Sequence, residues 1–213
     1  MNRGPYIFLG AFALLAFSWT AAILANQHGY GTLTPHYDAM EGKSFPAPQP
    51  GIVARGATVY TDLGCAACHT QQVHRADLGG DIARGWGERA SVARDYIFEE
   101  TVQLGHNRVG PDLRNVGARY ENAADFYQWL YAPAQMAPDS NMPAYRFLFE
   151  ETEIVGERSK DALDVQAPAG YQVVPTERAR SLVAYLAHLN DTYAYPETNY
   201  VYPDDEGAEE EGH

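Results

Sequence analysis

Cys65-Ala66-Ala67-Cys68-His69 contains the only two cysteines in this 213-residue chain. That spacing constrains the fold more than any other feature. In a C-x-x-C-H segment at the start of a helix, both thiols can add to the two vinyl groups of one haem, and the histidine that follows reaches the iron. A thioredoxin-like dithiol would need the pair after a strand in a βαβ frame, and no such frame is legible. A structural zinc site would need four ligands, and the second Cys/His pair at matching spacing is missing. One covalently attached haem c is therefore expected, held by Cys65 and Cys68 and ligated by His69.

Residues 5–25 carry no charge. As a helix they would span about 31 Å, close to the roughly 30 Å of a bilayer's hydrocarbon core. The run is longer than the apolar core of a cleaved leader, and no good Ala-x-Ala exit follows it. Residues 1–27 thus read as an uncleaved single-pass anchor in the lipid bilayer. Arg3 lies on one side of it, and the next cationic residue on the other side is Lys43. The positive-inside rule then puts the N-terminus in the cytoplasm and the rest on the periplasmic face of the inner membrane. Haem c attachment also takes place outside the cytoplasm.

Charge adds a second boundary. The chain has 15 Lys+Arg against 28 Asp+Glu, a formal charge of -13. Eight of those acids fall in residues 191–213, which hold no Lys or Arg. Residues 191–213 read as a solvated acidic tail, and 28–50, rich in Gly and Pro, as a linker. An acidic balance repels polyanions, so nucleic acid is not an expected partner.

The domain between, residues 51–190, reads as mainly α. Ile52, Val53, Gly56, Val59, Tyr60 and Leu63 recur at helical spacing, with Pro50 suited to the first turn and Gly64 to a left-handed end. Residues 91–104 also read as helical, and 125–131 as a short aromatic helix stopped before Pro133. Residues 137–145 form a Pro-containing loop, and 146–174 are irregular with a small hairpin around Ala169-Gly170. Thr176 can cap a last helix that carries Ala179, Leu182, Val183 and Leu186 on one face.

The sixth iron ligand has four candidates: Met142, Met136, His74 and His106. Met142 stands in a rigid Asn141-Met142-Pro143 loop, and thioether ligation suits an electron carrier by raising the potential. His74 follows His69 too closely to cross the haem plane. Pro111 offers a carbonyl to the second nitrogen of His69, Leu113 an apolar wall for the haem, and Arg119 a guanidinium for a haem carboxylate. With both axial positions filled from the protein, outer-sphere electron transfer is expected rather than substrate chemistry.

Gly56-x-x-x-Tyr60, Cys65-x-x-Cys68-His69, Gly110-Pro111-x-Leu113, Met142-Pro143 and Leu182-Val183-Ala184-Tyr185-Leu186 together resemble a class I cytochrome c domain, here with long loop insertions. The resemblance implies that the first and last helices cross closely at Gly56, Tyr60 and Tyr185. Three longer stretches narrow it: Gly64 to Gln71, Arg108-Val109-Gly110-Pro111-Asp112-Leu113 with Val116-Gly117-x-Arg119-Tyr120, and Ser140-Asn141-Met142-Pro143-Ala144-Tyr145. These look like the mono-haem subunit II of cbb₃-type (C-family) haem–copper cytochrome c oxidases. That likeness implies electrons received from a further cytochrome c subunit or a soluble cytochrome c, and passed toward the catalytic haem–copper oxidase subunit. The small cytochrome c subunit of nitric oxide reductase and a free-standing tethered carrier are the alternatives.

Overall fold

The computed structural model describes residues 3–120 and 122–198. The chain divides into two units. One is drawn from the chain up to Pro46 with Ala93–Ile97, the other from the remainder.

The first unit opens with helix α1 (Gly4–Gly29), with a proline in its first turn. None of its side chains is buried, and it is long and apolar enough to cross a bilayer once. Strand β1 (His36–Asp38) then pairs antiparallel with β2 (Lys43–Phe45). The sequence led to an extended linker over 28–50. It folds back here because the Asp38 carboxylate accepts from the amides of Met40 (2.7 Å) and Glu41 (3.1 Å), and Gly42 takes a left-handed conformation. Ala93–Tyr96 forms a single 3₁₀ turn, and Arg94 donates to the Thr34 carbonyl.

The expected helix over 91–104 is otherwise absent. Its backbone is used elsewhere: Ser91 exchanges two hydrogen bonds with Val73, and the Leu104 carbonyl accepts from the Gln71 amide at 3.1 Å. Tertiary pairing overrides the local periodicity.

The second unit is mainly α. Helix α2 (Gly51–Asp62) buries Val53, Gly56, Val59 and Tyr60, and helix α6 (Glu177–His188) buries Ala179, Leu182, Val183, Tyr185 and Leu186. The two cross tightly. A Cβ on Gly56 would fall 2.6 Å from that of Tyr185 and overlap the Ser181 carbonyl, so only glycine fits. The Tyr60 and Tyr185 rings meet edge to face at 5.5 Å. Between these helices in sequence come α3 (Val116–Arg119), α4 (Ala123–Tyr131) and α5 (Pro133–Met136). The amide of Gly117 donates to the Leu189 carbonyl and fixes α3 to the end of α6.

Strands β3 (Phe149–Glu153) and β4 (Tyr171–Pro175) pair antiparallel, Phe149 opposite Pro175 and Glu153 opposite Tyr171. The hairpin expected at Ala169-Gly170 is thus a wide one. Residues 154–170 join the strands, and Ala169-Gly170 form a tight turn at the end of that segment, closed by the Tyr171 amide on the Pro168 carbonyl at 3.0 Å, which leads into β4. Thr176 caps α6 as expected, accepting from the Ala179 amide. Packing also runs past residue 190: Asp191 pairs with buried Arg114, and Tyr195, 1% exposed, lies under Arg89. Residues 199–213 of the expected acidic tail lie outside the described residues.

Candidate functional site

The site begins where α2 ends. Gly64 adopts φ 69°, a left-handed conformation that turns the chain into the cysteine segment. The sequence placed that segment on a helix start. It is instead one 3₁₀ turn, Cys65–Ala67, closed by amide bonds from Cys68 and His69 to the Cys65 carbonyl. Both cysteines are free thiols. Cys65 is half-buried, and burial pushes its thiol up to about 11, so it stays neutral.

His69 is oriented from across the chain. Its Nδ1 lies 2.8 Å from the Pro111 carbonyl. A carbonyl only accepts, so Nδ1 carries the proton. Burial lowers the imidazole pKa, opposed by that same hydrogen bond. A neutral ring protonated at Nδ1 has a bare Nε2, the form that binds a metal. Gly110 makes room for it: a Cβ there would come 2.8 Å from Nδ1 and 3.0 Å from Nε2.

A second strand of chain holds this turn in place. His106 donates to the Ala66 carbonyl, the Asn107 side chain to that of Ala67, Gly110 to that of Cys68 and Leu113 to that of Thr70. The side chain of Asp112, fully buried, accepts from Thr70 Oγ1 (2.6 Å) and from the amides of Gln72 and Arg114 (both 2.8 Å). Arg108 reaches Thr70 Oγ1, the Gln72 carbonyl and both oxygens of buried Asp81. Its guanidinium lies 5.3 Å from the centre of the Trp86 ring.

The other expected residues are arranged as follows. Met142 is half-buried against the core that Cys65, Ala66 and Leu113 also touch. Its loop is tied to α4 by the Tyr145 amide on the Leu130 carbonyl at 2.8 Å. Burial raises the Tyr145 phenol, and the proximity of Cys65 and Cys68 adds to it, so this loop and the cysteine turn share a region. His74 is engaged with Asp81, Nδ1 to Oδ2 at 2.9 Å. His106 is exposed and Met136 partly so. Arg119 donates one Nη to the Asp112 carbonyl, while its buried Nε has no partner.

Trp129 was not anticipated. Its indole N–H is also buried without a partner. It stands in an aromatic helix beside Phe126, Tyr127 and Leu130, and only its place off that apolar stripe sets it apart. Two orphaned buried donors in one domain are costly unless an acceptor meets them. A haem carries carboxylates, acceptors of the kind both donors lack. Together with a bare imidazole nitrogen, two free thiols and a glycine under the ring, the residues fit a haem. Among the described residues no group of three or more His, Cys, Asp or Glu is placed to hold a bare metal ion.

The sequence profile of the cytochrome C oxidase mono-heme subunit/FixO family matches residues 44–182. The chain belongs to this family. No curated protein matches it. As a mono-haem cytochrome c oxidase subunit it takes one haem and serves electron transport within an oxidoreductase complex that has a catalytic subunit as partner. The single apolar helix α1 fits a membrane anchor for such a subunit. The matched segment covers the cysteine turn, the Gly110–Leu113 turn, the Met142 loop and the first half of α6.

Proposed function

We propose that this chain is the electron-relay subunit of a cbb₃-type cytochrome c oxidase, with its haem c bonded covalently to Cys65 and Cys68. His69 and Met142 would hold its iron. Pro111 orients His69, Leu113 excludes water from the haem, and Arg119 and Trp129 hold its carboxylates. When bound, the haem supplies one reversible electron at iron. The chain's own residues would hold that centre closed to substrate, which suits outer-sphere electron transfer toward the oxygen-reducing subunit. The domain stands on the periplasmic face, and its electrons come from a further cytochrome c subunit or a soluble cytochrome c.

The observation that carries this reading is the 2.8 Å contact between His69 Nδ1 and the Pro111 carbonyl, which leaves Nε2 bare one residue from Cys68. Its test is oxygen uptake by the complex that co-purifies with the chain in mild detergent. Cyanide-sensitive uptake with a large haem b subunit attached is expected. A chain that emerges alone, or with an assembly inert to oxygen, overturns the oxidase assignment. Met142→Ala is expected to abolish the low-spin spectrum, and an unchanged spectrum would remove Met142 from the ligand set.

A further inference from the structure

Asp112 is fully buried, one residue beyond the carbonyl that orients His69. All three of its hydrogen bonds are accepted, the pattern of a carboxylate, which only accepts. Two of them, from Thr70 and Gln72, grip the chain just after His69. The third, from the Arg114 amide, closes its own turn. The nearest cation to the carboxylate is Arg108, 3.9 Å away, which is already committed to both oxygens of Asp81. Arg119 donates to the backbone carbonyl of Asp112 and senses its carboxylate without bonding it. The carboxylate's charge is therefore offset mainly by neutral donors and acts through a dry interior, where screening by water and salt is weak.

We infer that Asp112 is a positioning residue that also sets the potential of the centre. Its carboxylate holds the Pro111 carbonyl against His69 and, by its negative charge, favours the oxidised haem. The inference rests on the reading that His69 ligates the haem iron. Oxidation removes one electron and leaves one more positive charge beside the buried carboxylate. Removing the carboxylate's charge therefore makes oxidation harder, and the midpoint potential rises.

Two substitutions separate charge from scaffolding. Asp112→Asn removes the charge and keeps the shape. Thr70→Val keeps the charge and removes its shortest hydrogen bond, so the carboxylate is less neutralised. If charge governs, the first raises the potential and the second lowers it. A loosened turn would move both the same way.

The experiment is a redox titration of the c-type absorbance in the detergent-extracted complex, at low and high salt. Asp112→Asn is expected to shift the one-electron equilibrium about tenfold, 59 mV upward, at both salt concentrations, with a smaller downward shift for Thr70→Val. Shifts of the same sign, or no shift in either variant, overturn the inference. If Asp112→Asn yields no haem-loaded protein, Thr70→Val decides alone: a downward shift supports the inference, and an upward shift or none overturns it. An unmodified protein without a low-spin haem c would instead defeat the reading on which the inference rests.

Discussion

His69 and Gly110 are coupled as closely as two residues can be. The ring lies against the glycine with no space for a methyl group, and its hydrogen bond to Pro111 fixes which nitrogen faces away. Gly110→Ala should push the ring out of that plane. A misoriented ligand typically costs 10–100-fold in metal affinity, so weak haem retention and loss of the low-spin bands are expected on absorbance of the purified variant. Trp129 offers a test by sign. If its N–H meets a haem carboxylate, Trp129→Phe should lower the stability of the haem-loaded protein by about 1.5–3 kcal/mol, the worth of a hydrogen bond to a charged group. If nothing accepts it, the substitution relieves a buried orphan and is neutral or stabilising; denaturant midpoints distinguish the two. At this scale the contact of His69 with the Pro111 carbonyl was legible because both residues stand in short motifs. Asp81, Arg108 and Trp129 were not, because their roles depend on how the chain folds. Arg108, for example, meets Asp81 across 27 positions and Thr70 across 38.

Elements show the same division. Helices α2, α4 and α6 were visible as apolar periodicity because each buries one face, and the periodic face is what the core selects. Residues 91–104 showed a similar pattern but are held by Val73, Gln71 and Thr61, whose positions no local signal records. The β1–β2 pair escaped notice because its strands are three residues each and its turn depends on one carboxylate. The strongest demand on an element falls at the α2–α6 crossing. Gly56→Ala would set a methyl group against backbone, which cannot yield as a side-chain tip can. Overpacking of this kind costs about 3 kcal/mol, and a drop of that size in chemical denaturation is expected. Thr176→Ala is the milder counterpart: it removes the cap of α6 and the Thr176 hydroxyl's bond to the Leu148 carbonyl, for about 1–2 kcal/mol.

At the scale of the whole molecule, acid is the condition that separates buried from surface charge. Most acidic side chains among the described residues are exposed, but Asp81 is fully buried. Burial alone would raise its pKa. The hydrogen bonds from Arg108 and from the amide and ring of His74 outweigh that and hold it down to about 2, below its ordinary 3.8. The unfolded chain therefore binds this proton more readily than the folded one. The sign follows: the contribution is complete above the unfolded value, shrinks as pH falls through the interval between the two, and is gone below about 2. A shift of this size is worth about 2 kcal/mol. Stability measured by urea midpoint should fall by roughly that amount between pH 5 and pH 2 on account of this one residue. Asp81→Asn should start lower at pH 7, because Arg108 loses its carboxylate, and should lack that part of the acid limb. If the variant and the unmodified protein lose stability in parallel down to pH 2, the acid response lies elsewhere and Asp81 does not tie residues 72–86 to the cysteine turn through its charge.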